Sequence, residues 1–273
     1  MTGRRRGRRR NVDAPPALVI APALIGIVFL VLPTLGLLIR APWSSLGAIY
    51  ADTEVADALR ISLVTSLQAT VLSLLFGVPL ALVLARQRLA GIGIVRALVL
   101  IPMVLPPVVG GVALFLALGR EGFVGRYLDQ WFGFTLPFTQ HGIVLAQTLV
   151  AMPFMVITME GAFRTADRGL EEAAATLGAS RSRIFTRVTL PLVVPSLVAG
   201  TVLCWARALG EFGATVIFGG NVPGSTQTMP TAIFTAFQTD PQNAVALSLP
   251  LLIVAVVILG ALRDKWLRPV ASS

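Results

Sequence analysis

The sequence predicts an all-α, polytopic membrane protein with six transmembrane helices, on three observations. Of its 273 residues 55% are hydrophobic and the mean hydropathy is +0.82, above the content of soluble domains, which is about 45–50% apolar. Only 13% of residues are charged. Predominantly apolar runs near or above the roughly 20 residues that a helix needs to cross hydrocarbon recur six times along the chain.

The opening MTGRRRGRRR has the charge of a signal-peptide start. The run behind it, Ala17–Ile39, is longer than the roughly 7–15 residues of a cleavable core, and Arg40-Ala41-Pro42 offers no small-residue cleavage site. A retained first span is therefore expected behind a basic cytoplasmic tail, residues 1–16. Five more runs follow at Ala58–Ala85, Ala97–Leu118, Gly142–Ala162, Leu190–Phe218 and Ala244–Leu262. Two of these are long enough to tilt or to extend beyond the hydrocarbon.

Orientation follows from the 22 basic residues, 21 of them arginine and one Lys265. Seventeen fall on one side of the expected topology: the tail, Arg86, Arg88, Arg96, the 164–187 stretch and the C-terminus. Arg40, Arg60, Arg120 and Arg126 fall on the other, and Arg207 lies inside a run. The positive-inside rule then puts both termini in the cytoplasm. The net charge of +9 is read as this topology signal, not as affinity for nucleic acid, and membrane lipid is the expected surrounding.

Prolines interrupt nearly every run, most densely in PMVLPPVVGG, Pro102–Gly111. Backbone groups freed by proline need partners inside a bilayer, so this stretch is not a plain lipid-facing helix. It is either a tolerated kink or a broken helix lining a path through the protein. Arg207 and Glu211, spaced i,i+4 in the fifth run, share a helix face and can pair. An ionisable group at that depth costs about 2.5–3.5 kcal/mol on insertion scales, so the pair must face the bundle interior or an aqueous path. Arg207, Glu211 and Thr215 are the candidates for a translocation path or a structural lock. Beyond them, Gly219–Pro230 carries no charge but many hydroxyl and amide groups, suited to transient hydrogen bonds with an oxyanion or simply to a solvated turn.

Several chemistries are excluded by counting. A phosphate-binding P-loop needs Gly-Lys-Ser/Thr, and the one lysine lies in Arg263-Asp264-Lys265-Trp266. Any ATP hydrolysis thus belongs to a partner, and no cofactor is expected on this chain. One cysteine, Cys204, and one histidine, His141, leave no disulfide, thiolate cluster or two-histidine metal site within the chain. An intramembrane enzyme using Glu160, Glu211 and His141, or an ion channel, are the alternatives of another class. Neither gives a role to the basic segment between the fourth and fifth runs.

That segment, EAAATLGASRSRIFTRVTLP, spans Glu172 to Pro191. Glu171 and Glu172 are expected at a helix start, where carboxylates favour the positive end of the dipole. Ala173, Ala174 and Ala175 are strong, slim helix formers suited to docking in a groove. Gly178 is expected to end that helix before Ala179, a second short helix to form around Ser180–Thr186, and Pro191 to open the next span. Arg181, Arg183 and Arg187 either pair with acids on a partner or enforce topology. Glu172-Ala173-Ala174, Gly178, Leu190 and Pro191 resemble the EAA coupling loop of ATP-binding-cassette importer permeases, with Val188 where that pattern has Ile. LGEFGATVIFGGNVPGSTQTMPTAIF, Leu209–Phe234, and LPPVVGGVALFLALGREGFVG, Leu105–Gly125, resemble the molybdate permease subfamily.

The resemblance implies a permease core over residues 58–265, with a coupling loop at 163–189. Residues 17–57, the first span and its external loop, lie outside that core, and 266–273 form a cytoplasmic tail. It further implies a homodimer, two copies of a cytoplasmic ATP-binding subunit, an extracytoplasmic oxyanion-binding protein and residence in the bacterial cytoplasmic membrane. Molybdate is the implied substrate, with sulfate, thiosulfate and tungstate permeases sharing the architecture.

Overall fold

The computed structural model describes residues 17–87 and 91–266. The basic tail 1–16, Arg88 and residues 267–273 of the C-terminal tail lie outside the described residues. All regular elements described are helical. They are α1 (Ala17–Arg40), α2 (Leu46–Tyr50), α3 (Thr53–Leu72), α4 (Val78–Arg86), α5 (Ile92–Val104), α6 (Pro107–Leu118), α7 (Gly125–Phe132), α8 (Gln140–Thr165), α9 (Arg168–Thr176), α10 (Arg181–Ile184), α11 (Leu190–Leu209), α12 (Met229–Thr239) and α13 (Pro241–Trp266). Three π turns, Ser73–Gly77, Phe185–Thr189 and Thr215–Gly219, widen the helical path. The first joins α3 to α4 and the second joins α10 to α11, so each pair runs as one long helix.

Five helices are long and apolar enough to cross a membrane, and α5 with α6 forms a sixth candidate bent by 117°. The two ends of this bent pair lie toward opposite ends of α8. Arg96 on α5 reaches Glu160 near the end of α8 at 2.9 Å, while Leu118, closing α6, packs with Leu136 and Ala146 near the start of α8. The break has a steric cause. A residue preceding proline is driven out of the α region, and here Leu105 and Pro106 both precede one, with ψ of 139° and 131°. Pro107 then starts α6, where a missing N–H costs nothing.

Helix α8 is the central post, burying most residues from Gly142 to Phe163 and leaving Ile157 and Gly161 exposed. The α3–α4 and α10–α11 helices flank it, and small residues let them approach. A Cβ on Gly77 would lie 3.3 Å from Met152 and Met155, and one on Gly200 would lie 3.2 Å from Thr158. One face of α3 is hydroxyl-lined. Thr65, Thr70 and Ser73 each donate to a carbonyl one turn back, Ser66 accepts from Trp205 Nε1 at 3.0 Å, and Ser62 accepts from the Met229 amide at 2.7 Å. Helix α1 runs beside α13 with its apolar side chains exposed along nearly its whole length.

Among the boundaries that differ from the sequence expectation, three have a visible local cause. The second span starts at Thr53, because Asp52 caps its first turn by accepting from Glu54 N at 2.9 Å. The fifth stops at Leu209 instead of Phe218: Gly210 closes the helix, and the continuing apolar run folds into the Thr215–Gly219 turn. Pro191 does not open a span. It sits inside the continuous Arg181–Leu209 helix, tolerated because the Phe185–Thr189 turn precedes it and sends the Leu190 N–H five residues back to Phe185.

Candidate coupling elbow and interior charge pair

Between α8 and α11 the chain forms a two-helix elbow. Asp167 caps α9 by accepting from Gly169 N at 2.8 Å. The helix thus begins at Arg168, ahead of the expected start, with Glu171 in its first turn and Glu172 beyond it. Gly178, at φ +81°, takes the left-handed conformation that ends α9. The closing bonds run from Gly178 N to Ala175 O and from Ala179 N to Ala174 O. Ser180 caps α10. Glu172, Ala173, Gly178, Arg181 and Pro191 are exposed, Ala174 and Ala179 half-buried, and Leu177 at the apex is 88% exposed.

The acid held inside the fold is Glu171, which the motif did not single out. Its two oxygens accept from Arg86 Nη1 and Nη2 at 2.5 and 2.6 Å, and Oε1 also accepts from Thr189 at 2.7 Å. The Arg86 hydrogen bonds hold the carboxyl below its ordinary range against the opposing effect of burial, and Thr189 adds to this. The folded value lies below the unfolded one. The pair's contribution is therefore complete above the ordinary carboxylate value and is lost as pH falls through the folded one. Thermal melting in detergent should show wild-type protein losing stability on acidification below the carboxylate range more steeply than E171Q. Nearby, Glu160 pairs with Arg96 at 2.8 Å and Arg164 at 2.7 Å, and Arg96 also donates to Leu84 O.

At the far end of α11, Arg207 Nη2 and Glu211 Oε2 are 2.6 Å apart, with Glu211 1% exposed. Glu211 also holds the backbone. Its Oε1 accepts from Ala214 N at 2.9 Å, capping the chain where α11 has broken. Thr215 is fully buried and its Oγ1 has no hydrogen-bond partner among the described residues.

The two segments that carried the subfamily resemblance meet here. A Cβ on Gly111 would lie 2.9 Å from Ile217 and 3.0 Å from the Ala214 backbone, and one on Gly213 would lie 3.0 Å from Pro107 and Val108 N. Gly111→Ala is therefore expected to cost about 1–3 kcal/mol by overpacking. Gly110→Ala meets only the mobile tip of Leu149 at 3.4 Å and should be tolerated. Paired thermal melts of these neighbours check the contact, since helix propensity changes equally in both.

Within Gly219–Pro230, residues 222–225 are an exposed stretch of turn, while 219–220 and 226–229 are buried. Thr226 accepts from Val222 N, Gln227 donates to Asn221, Asn221 to Thr235, and Thr231 accepts from Thr228 N. These groups bind one another, leaving fewer of them for a passing anion. His141 lies edge-on to Phe134, at the opposite end of α8 from Glu160, so the three residues of the enzyme alternative are not brought together.

Five long apolar helices and a bent sixth candidate, arranged about α8 with an exposed elbow and an interior charge pair, describe a membrane protein. Residues 74–269 match the model of the family described as binding-protein-dependent transport system inner membrane component, and the chain belongs to that family. It is 48% identical over 246 residues to the molybdenum transport system permease protein ModB of Mycobacterium tuberculosis, covering 90% of this chain and 93% of that one. ModB of Escherichia coli is 41% identical over 215 residues, 79% and 94% of the respective chains. Among solved structures, a bacterial ABC transporter that imports alginate shares the fold, with a TM-score of 0.68 and 20% identity over 92% of this chain and 95% of that one. The chain is a transporter subunit and not an enzyme.

Proposed function

We propose that this chain is the membrane-spanning permease of an ATP-driven molybdate importer in the bacterial cytoplasmic membrane. Two copies form the pathway, two ATP-binding subunits engage the elbows from the cytoplasm, and an extracytoplasmic binding protein delivers the oxyanion. ATP is used by the partner, and this chain binds no cofactor. The observation that carries the reading is the 48% identity to a molybdenum permease across 90% of the chain. The arginine distribution supports placing both termini and the elbow in the cytoplasm. Residues 58–265 form the transport core, and the 17–57 segment stands outside it, which agrees with the exposed flanks of α1.

The elbow suits this role because its polar and apolar apex residues face outward, while α10 continues directly into α11 and its interior charge pair. Nucleotide-driven movement of the ATPases then shifts the elbow and switches the pathway between its two openings. Uptake of molybdate, tungstate and sulfate into vesicles containing permease, ATPase and binding protein tests the proposal. ATP-dependent molybdate accumulation that sulfate fails to suppress is the expected result, and uptake of sulfate alone would overturn the substrate assignment.

A further inference from the structure

We infer that Glu171 is the positioning residue through which movement of the elbow reaches the spans on either side of α8. Helix α9 has no buried residues. Among the described residues, every side-chain hydrogen bond from α9 to another element runs through Glu171. A cavity of about 440 Å³, bordered by Leu82, Val83, Ala175, Ile184 and Phe185, separates α9 from α4 and α10 beside these bonds. The ion pair thus bridges a space that packing leaves open, as a strut does.

The strut has two anchors. Arg86 ends α4, whose Leu84 carbonyl is held by Arg96, itself paired with Glu160 on α8. Thr189 closes the π turn from which α11 runs to Arg207 and Glu211. One carboxylate therefore ties the elbow to the ends of the second and fifth spans. A displacement of α9 with the strut intact carries both helix ends along, and without it α9 can swing into the cavity alone.

This inference rests on the elbow being the ATPase contact, as proposed above. Its test measures anion uptake and ATP hydrolysis in the same vesicles, with the permease assembled with its ATPase and binding protein. E171A is expected to lower anion carried per ATP hydrolysed by about five- to tenfold, the scale of a typical coupling between sites, while the ATPase still co-purifies. E171Q should lie between, and the swap R86E/E171R should restore the ratio to within about twofold where R86E alone does not. An unchanged ratio in E171A, a swap no better than the single variants, or an E171A permease that no longer retains the ATPase would each overturn the inference. The ratio is read with whichever anion the wild type carries, so failure of the molybdate assignment leaves this test intact. Spin labels at Gln87 and Thr176 supply a readout that needs no transport. Their separation should hold when ATP is added to the wild-type complex and change in E171A, and identical behaviour in both would again reject the strut.

Discussion

Replacing Arg207 by alanine is expected to cost the folded protein about 3–5 kcal/mol, because it leaves the Glu211 carboxylate buried without its counter-charge. Glu211 is only 1% exposed, so its carboxylate would lose the counter-charge at a site shielded from bulk water. Glu211→Ala should be comparably damaging for two reasons at once: it strands Arg207 and removes the acceptor for Ala214 N. The charge-neutral pair R207M/E211Q removes both charges while keeping an oxygen for that amide, and should recover most of the loss. Thermal melting and yield in detergent measure this. Uptake by the neutral pair then separates two roles. Near wild-type transport identifies a structural lock, the role we favour, whereas a well-folded variant that transports poorly gives Arg207 a direct part in the anion's route.

The second large effect is expected at the elbow. Gly178 sits at φ +81° and donates its N–H to Ala175 O. Proline is fixed near −65° and has no N–H, so Gly178→Pro should cost about 3 kcal/mol or more locally. The elbow buries no side chains of α9 or α10, so the spans should still fold and the loss should appear as failed coupling or a released ATPase. Glu172→Lys is the complementary probe. Glu172 is exposed and its side chain makes no ion pair among the described residues, so any effect must come from a partner. Loss of uptake by at least about tenfold is expected if the residue faces an interfacial cation. Normal uptake by both variants would remove the elbow from the coupling path.

What could be read from the sequence was local. The long apolar helices follow from apolar length, an interruption within Pro102–Gly111 from its prolines, and the Arg207–Glu211 pair from its i,i+4 spacing. The elbow's turn followed from a glycine placed between two helix-forming stretches. Features set by distant partners stayed hidden. Glu171 and Arg86 are 85 residues apart, and Arg96 and Glu160 are 64 apart, so no spacing rule connects them. The motif drew attention to Glu172, the outward-facing acid, and away from its inward-facing neighbour. The end of the fifth span was missed because hydropathy stays high through Phe218, while the break depends on Gly210 and on a side chain capturing a backbone amide. The hydroxyls of α3 were passed over because serine and threonine dilute an apolar run without ending it.

The π turn at Phe185–Thr189 has a consequence for the phase of the helix that contains it. Each such turn accommodates about one residue more than an α turn, and one residue is about 100° of rotation. The side of the helix that meets α9 and the side that meets α8 are therefore offset by that extra residue, and no single 3.6-residue stripe describes both. Deleting one residue within the turn would return it to an α turn and keep the segments on either side in phase, whereas deleting one in the α-helical part of α11 would rotate everything beyond it by about 100°. The second deletion would turn Arg207 and Glu211 away from the interior, so loss of one residue early in α11 should be far more harmful than loss of one within Phe185–Thr189.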